Sequence, residues 1–247
     1  MTSYSSILGI PVPKLTMEET VERILHVIEE NSDELYHVVT LNPEIAMACR
    51  HDSHLRSIVD DAGLLTADGI GIVMVSQLKG NPLPERVTGC DLLLRLLDSG
   101  PKHTRRVSYY LLGASETTSK LAAEKIERSC PNALVTGRHH GYFGEEEGER
   151  IVSEIAKLRP DVLVVALGAP KAEQFIYRYK NRLNAKVAIG VGGSLDIVAG
   201  TVKRAPAIWR KWNLEWLFRL LNQPSRWRRQ LLLPRFAVSA LVFRDKR

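Results

Sequence analysis

The chain has 247 residues, is 45% hydrophobic and carries a formal net charge of +6. That balance excludes a disordered polymer, and no stretch approaches the roughly 20 consecutive apolar residues of a membrane span. The first ten residues lack the basic start and apolar run of a secretory signal, and Cys49, Cys90 and Cys130 stand far apart with no CxxC, which fits reduced thiols in a cytoplasmic protein.

In chain order, a short apolar opening and Pro11 to Pro13 lead to Thr16, with Glu19 three residues on. That capping-box spacing predicts an amphipathic helix to about Glu30. Leu35 to Thr40 is a strand by its β-branched and aromatic content. Asn42-Pro43 then turns into a helix predicted to run to about Val59, with proline at its first position. Gly63 to Ala67 is a strand, Asp68 and Gly69 follow, and a helix is expected from Ile70 to about Leu78. Gly80 to Gly89 is a loop by composition and carries Glu85 and Arg86. Further helices are expected over Asp91 to Leu97, from Ser115 to about Ser129, over Glu145 to Leu158 and after Pro170. Strands are expected over Val107 to Leu112, Ala133 to Thr136, Asp161 to Leu167 and Val187 to Val191. Continuous apolar strands alternating with helices indicate an α/β domain, residues 1–200, with a mostly parallel sheet covered on both faces.

After Gly200 the character changes. Lys203 to Arg247 holds 12 Lys and Arg against Glu215 and Asp245, a net of +10, which leaves the body at −4. Trp209, Trp212, Trp216 and Leu220 recur at helical spacing as one stripe. Arg226 to Arg229 opens a second basic helix that Pro234 is expected to break. Residues 201–247 thus read as a basic helical appendage that meets something anionic, packed on the body or lying on a membrane.

Four strand ends carry glycine or small polar residues: Thr40 and Asn42, Asp68, Gly168, and Gly192 to Asp196. In a parallel sheet these ends share one edge, where ligands bind. Each alone is ordinary turn chemistry, and Asp68 alone reads as a cap for the helix that follows. Together with the +10 tail they favour a site for an anionic ligand. The GxGxxG fingerprint fails because Leu195 stands where its third glycine belongs, and no GxxxxGK[ST] occurs, so a dinucleotide site of that type and a P-loop are disfavoured. His139 and His140 are adjacent and diverge in extended chain, with no third ligand expected nearby, which disfavours zinc. No DxD-like pair is present to hold a metal against a diphosphate. Arg219, Arg226 and Arg229 can supply that charge, since the guanidinium fork matches phosphate oxygens; they read equally as a solvated or lipid-facing surface.

Taken together, Thr40 to Glu44, Ala67 to Gly71, Pro82 to Gly89, His140 to Phe143, Ala166 to Lys171 and Gly190 to Asp196 resemble, in the same order, the motifs of the WecG/TagA/CpsF glycosyltransferases (glycosyltransferase family 26). The resemblance covers essentially the whole chain. It implies a Rossmann-like fold and an inverting enzyme without metal or other cofactor. Such an enzyme moves a hexose or N-acetylhexosamine from a UDP-sugar to a polyprenyl-diphosphate-linked sugar, in cell-surface polysaccharide synthesis at the cytoplasmic membrane face. By motif position it implies Asp68 as general base and Thr40 and Asn42 as lining the sugar pocket. Arg86 and Asp196 match site positions, Gly168 and Gly192 fall within the matching strand-end motifs, and Arg219, Arg226 and Arg229 match arginines that close over the diphosphate. One departure is Ala172, where many members carry glutamine, which leaves the sugar pair undefined. The expected partners are the two substrates and an acidic membrane surface, not nucleic acid, with a homo-oligomer left open. The competing reading is a peripheral membrane or anionic-ligand binding module without catalysis, which has no need of polar groups converging at strand ends.

Overall fold

The computed structural model describes residues 2–30, 34–99, 106–206, 208–209, 212, 215–222 and 232–243, with the backbone alone at 219 and 222. Among these, six parallel strands form one sheet in the order β4-β3-β8-β7-β5-β6. The strands are β3 (Tyr36–Leu41), β4 (Leu64–Ala67), β5 (Val107–Gly113), β6 (Ala133–His139), β7 (Val162–Ala166) and β8 (Val187–Gly190). Between them run α1 (Met17–Glu29), α2 (Pro43–Ala48), α3 (Ser53–Asp60), α4 (Ile70–Leu78), α5 (Gly89–Asp98), α6 (Glu116–Ser129), α7 (Glu145–Leu158), α8 (Lys171–Tyr179) and α9 (Ser194–Ala199). This is the α/β architecture, Rossmann-like, that the alternation of apolar strands and helices predicts.

The inner strands are largely apolar, β7 (VLVVA) and β8 (VAIG) throughout, because both faces are covered. Val38, Leu64, Tyr109, Leu111, Val164 and Ile189 pack toward α1, α5, α6 and α9. Their neighbours Val39 and Leu65 pack toward α2, α3 and α4, and Tyr110, Leu112, Leu163 and Val165 toward α7 and α8. Successive side chains point to opposite faces, so a run of hydrophobes feeds two cores at once.

Helix α9 is not among the expected elements, and the structure departs from them in four further places. Residues 4–13 form a hairpin, β1 (Tyr4–Ile7) and β2 (Ile10–Pro13), closed by Leu8 and Gly9, both at positive φ, as a two-residue hairpin turn of this kind requires. The helix expected over 43–59 is two helices, because Asp52 accepts the Leu55 amide at 2.9 Å and caps a new start. Strand β6 continues three residues past Thr136. The register slips at Tyr109/Tyr110, and Gly137 lets the Tyr110 ring lie where a Cβ would come within 2.6 Å of it. Gly137 is therefore a packing site within the strand.

The fourth concerns residues 201–247. Helix α10 (Glu215–Asn222) carries Trp216, which reaches the cleft wall, while Trp209 packs edge-on against Phe218 and Trp212 is exposed; the stripe as a whole runs through residues outside the described ones. Helix α11 (Leu232–Val242) contains Pro234 in its first turn, where a missing N–H has no intrahelical bond to lose, and the basic helix expected from Arg226 lies outside the described residues. Helix α11 packs on α4 and α2, and Phe236 and Ala240 are fully buried among Ile45, Ile72 and Val75. Gly71 admits the Phe236 ring at 3.6 Å from where its Cβ would stand. No helix among the described residues is long and apolar enough to cross a membrane.

Candidate active site

A cleft of about 540 Å³ opens at the carboxyl ends of the strands. The four strand ends singled out in the sequence meet in it: Thr40, Asn42, Asp68, Arg86, Gly168, Gly192 and Asp196 all line it. Arg219 falls within α10, but its side chain, like all of Arg226 and Arg229, lies outside the described residues. Helices α10 and α11 contribute Glu215, Trp216, Leu232 and Leu233 to the wall.

Each strand end has a local reason for its shape. Asp68 does not cap α4; Gly69 stands at that position, at φ 103°, and no side chain caps the helix. The Asp68 amide instead bonds the Leu41 carbonyl at 2.8 Å, extending the β3–β4 ladder by one step. Its Oδ2 accepts the backbone N–H of Gly89, the first residue of α5, at 3.4 Å. The carboxylate is thus turned across the sheet edge, away from its own helix.

Thr40 donates its hydroxyl to the Gly190 carbonyl at 3.0 Å, tying the ends of β3 and β8 together. Asn42 caps α2 by accepting the Ile45 amide at 3.0 Å. Both residues line the cleft while holding its frame. Gly168 and Gly192 have φ of 78° and 53°, a region that side chains disfavour, yet nothing stands within 4 Å of where a Cβ would be. Backbone conformation, not space, requires glycine there. Asp196, in the first turn of α9, accepts the Thr118 hydroxyl at 3.4 Å.

The charge of the lining is lopsided. Among its described residues are five carboxylates, Glu44, Asp68, Glu173, Asp196 and Glu215, and one cation, Arg86. Arg86 pairs with Glu215 at 3.4 Å, both largely buried. An anionic ligand in this cleft therefore needs further positive charge.

Sequence reading missed part of the wall. Glu173 is 2% exposed, and burial first of all pushes its carboxyl up to about 7; its own backbone N–H opposes this, and the charge of Glu44 adds to it. The signal was legible: Glu173 interrupts the buried side of α8 formed by Ala172, Phe175, Ile176 and Tyr179. Tyr142, 78% exposed at the rim, belongs to the His140 to Phe143 stretch and also lines the cleft. Away from the lining, a third candidate ligand does join the two histidines. Glu147, in the first turn of α7, lies 3.5 Å from His139 Nε2, and His139, His140 and Glu147 bring ligand atoms within 4.8 Å of one another. The strand carries His139 further than expected, which brings it beside α7.

Comparison with known proteins adds to this geometry. The profile of the glycosyl transferase WecG/TagA/CpsF family matches residues 5–247. A protein of Bacillus spizizenii named N-acetylglucosaminyldiphosphoundecaprenol N-acetyl-beta-D-mannosaminyltransferase is 38% identical over 204 residues, 83% of this chain and 78% of its own length. A Bacillus subtilis protein of the same name is 37% identical over 204 residues, with the same coverage. One from Staphylococcus aureus strain MRSA252, named likewise, is 35% identical over 236 residues, 95% of this chain and 91% of its own length.

Proposed function

The chain belongs to the WecG/TagA/CpsF family and is a glycosyltransferase, and from that footing we propose that it moves a hexose or N-acetylhexosamine from a UDP-sugar to a polyprenyl-diphosphate-linked sugar with inversion. The names of the relatives favour N-acetylmannosamine as the sugar moved and N-acetylglucosaminyl-diphosphoundecaprenol as the acceptor, and so a role in cell-surface polymer synthesis. The observation that carries the reading is the meeting of Asp68 with Thr40, Asn42, Arg86 and Asp196 in one cleft at the carboxyl edge of the sheet.

In this reading Asp68 is the general base. A sugar hydroxyl is a weak nucleophile at neutral pH, and a carboxylate within hydrogen-bond reach takes its proton as the new C–O bond forms. Attack opposite the nucleotide breaks the bond from the anomeric carbon to the diphosphate, and UDP leaves with the electron pair. Charge then grows on the diphosphate. Fixed cations stabilise it more in the transition state than in the ground state. Arg86 supplies one, and Arg219, Arg226 and Arg229 supply the rest, without a metal ion. The lining supports this division, because its described residues carry more acids than cations. Residues 201–247 act as a basic appendage that closes over the donor, excludes water and rests on the acidic cytoplasmic face of the membrane where the acceptor is anchored.

The test is a transfer assay with the full chain, UDP-N-acetylmannosamine, a synthetic polyprenyl-diphosphate N-acetylglucosamine and excess EDTA. A β-linked disaccharide product is expected. No product with any of a panel of UDP-sugars overturns the activity, and product only with added divalent metal overturns the arginine-based account.

A further inference from the structure

Glu173 has no part in the chemistry described above. It is the third residue of α8, in the first turn of a nine-residue helix. The residue lines the cleft yet is only 2% exposed, and its Oε2 is buried without a hydrogen-bond partner. Its Oε1 lies against Gly190, where a Cβ would approach to 2.7 Å, so glycine at the end of β8 is what makes room for the carboxyl. The same Gly190 holds Thr40 through its carbonyl. The carboxyl therefore sits at the junction of β3, β8 and α8, on the floor of the cleft.

A buried polar atom without a partner is unfavourable, because it has lost its water and gained nothing in return. A group that served only the fold would be expected to have acquired a partner. An ionised orphan oxygen here is especially unfavourable, because Glu44 of α2 adds like charge. The neutral acid avoids that cost, and its Oε2–H is then a donor that lacks an acceptor. The terminal torsion of glutamate is soft, so a small rotation turns Oε2 to the cleft wall the residue already forms.

We propose that Glu173 is a specificity-determining residue: its Oε2–H donates a hydrogen bond to an oxygen of the sugar carried by the donor, so that the cleft reads the sugar separately from the nucleotide. The inference rests on the glycosyltransferase reading and adds to it a residue that recognises the sugar. A site with a buried polar group of this kind disfavours ligands that leave it unpaired. One proton is required for binding, which ties affinity to pH.

The experiment measures Kd of the full chain for UDP, UDP-N-acetylmannosamine, UDP-N-acetylglucosamine and UDP-glucose between pH 6 and pH 8.5. It uses the wild type, Glu173→Gln and Glu173→Ala. For the tightest sugar nucleotide, the wild-type affinity relative to UDP is expected to fall above neutral pH, by up to about tenfold per pH unit for one proton. Glu173→Gln, which still donates but does not titrate, is expected to remove that dependence and stay within a few-fold of wild type at pH 6. Glu173→Ala is expected to lose about tenfold in sugar-nucleotide affinity at pH 6 with the UDP Kd unchanged. The unchanged UDP Kd also reports an intact cleft. A ratio of sugar-nucleotide to UDP affinity that neither variant alters, at any pH, overturns the role of Glu173. Failure of the wild type to bind UDP overturns the glycosyltransferase reading and this inference with it.

Discussion

The sheet edge and the C-terminal region contribute opposite things to the same cleft. The edge brings rigidly held polar groups: Asp68 fixed by the Gly89 amide, Thr40 by Gly190 and Asn42 by α2. The region after Gly200 holds 12 of the chain's 34 basic residues and yet lends the described wall a carboxylate, Glu215, against Arg86. Precision comes from strand ends held by backbone hydrogen bonds, and in the proposed reading charge compensation comes from the arginines of residues 201–247. That reading requires both halves for full binding of an anion.

The largest effect should come from removing one half. Truncation after Gly200 is expected to abolish transfer and vesicle co-sedimentation; because Phe236 sits in the body's core, a variant with Arg219, Arg226 and Arg229 all changed to Ala separates charge from stability. Normal transfer by that variant would show that the body alone holds the diphosphate. Asp68→Asn should lower kcat by about 10²- to 10⁴-fold, the usual contribution of a general base, with UDP-dependent thermal stabilisation retained. Near-normal turnover removes Asp68 from the chemistry.

Two stability measurements sharpen the contrast further. Phe236→Ala should cost about 3–5 kcal/mol in urea unfolding, as for a large core side chain. A cost below about 1 kcal/mol would mean that α11 is not part of the core. The body also contains His37, 6% exposed on β3, whose Nε2 lacks a partner and whose burial lowers it to about 4. Nearby Asp61 opposes that shift and Lys180 adds to it. The folded chain holds this imidazole neutral while the unfolded chain protonates it near 6.5. Its contribution is therefore present above 6.5 and lost as pH falls from there toward 4, by roughly 3 kcal/mol at most. Urea titrations at pH 7 and pH 4.5 should show that slope, and His37→Leu should flatten it. The smallest effect is expected from Glu215→Gln. Neutralising the partner of Arg86 should change the UDP Kd by a few-fold, toward tighter binding, read by calorimetry at low salt.

Much of this was legible in the chain. Apolar strands, capping residues such as Thr16, Asn42 and Ser115, and proline at the start of α2 identified most elements. The hairpin at residues 4–13 escaped because a Leu-Gly turn is not a strong turn signal, and leucine at φ 53° is held by context. Glu173 escaped as a site residue because its meaning lies in what surrounds it. An acid on an apolar helix stripe is visible in sequence, but an oxygen without a partner is a property of packing.

By itself the sequence determined the α/β class, the parallel sheet and the polar strand ends, because periodicity and turn chemistry act over a few residues. It also carried the family motifs on which the activity is read. Only the tertiary structure decided that Asp68 turns to Gly89 instead of capping α4, and that Phe236 belongs to the core. It alone joined Glu147 to the two histidines, and buried Glu173 against Gly190. Those outcomes depend on partners that belong to other elements of the fold. Distance along the chain carries no record of which groups close packing brings together.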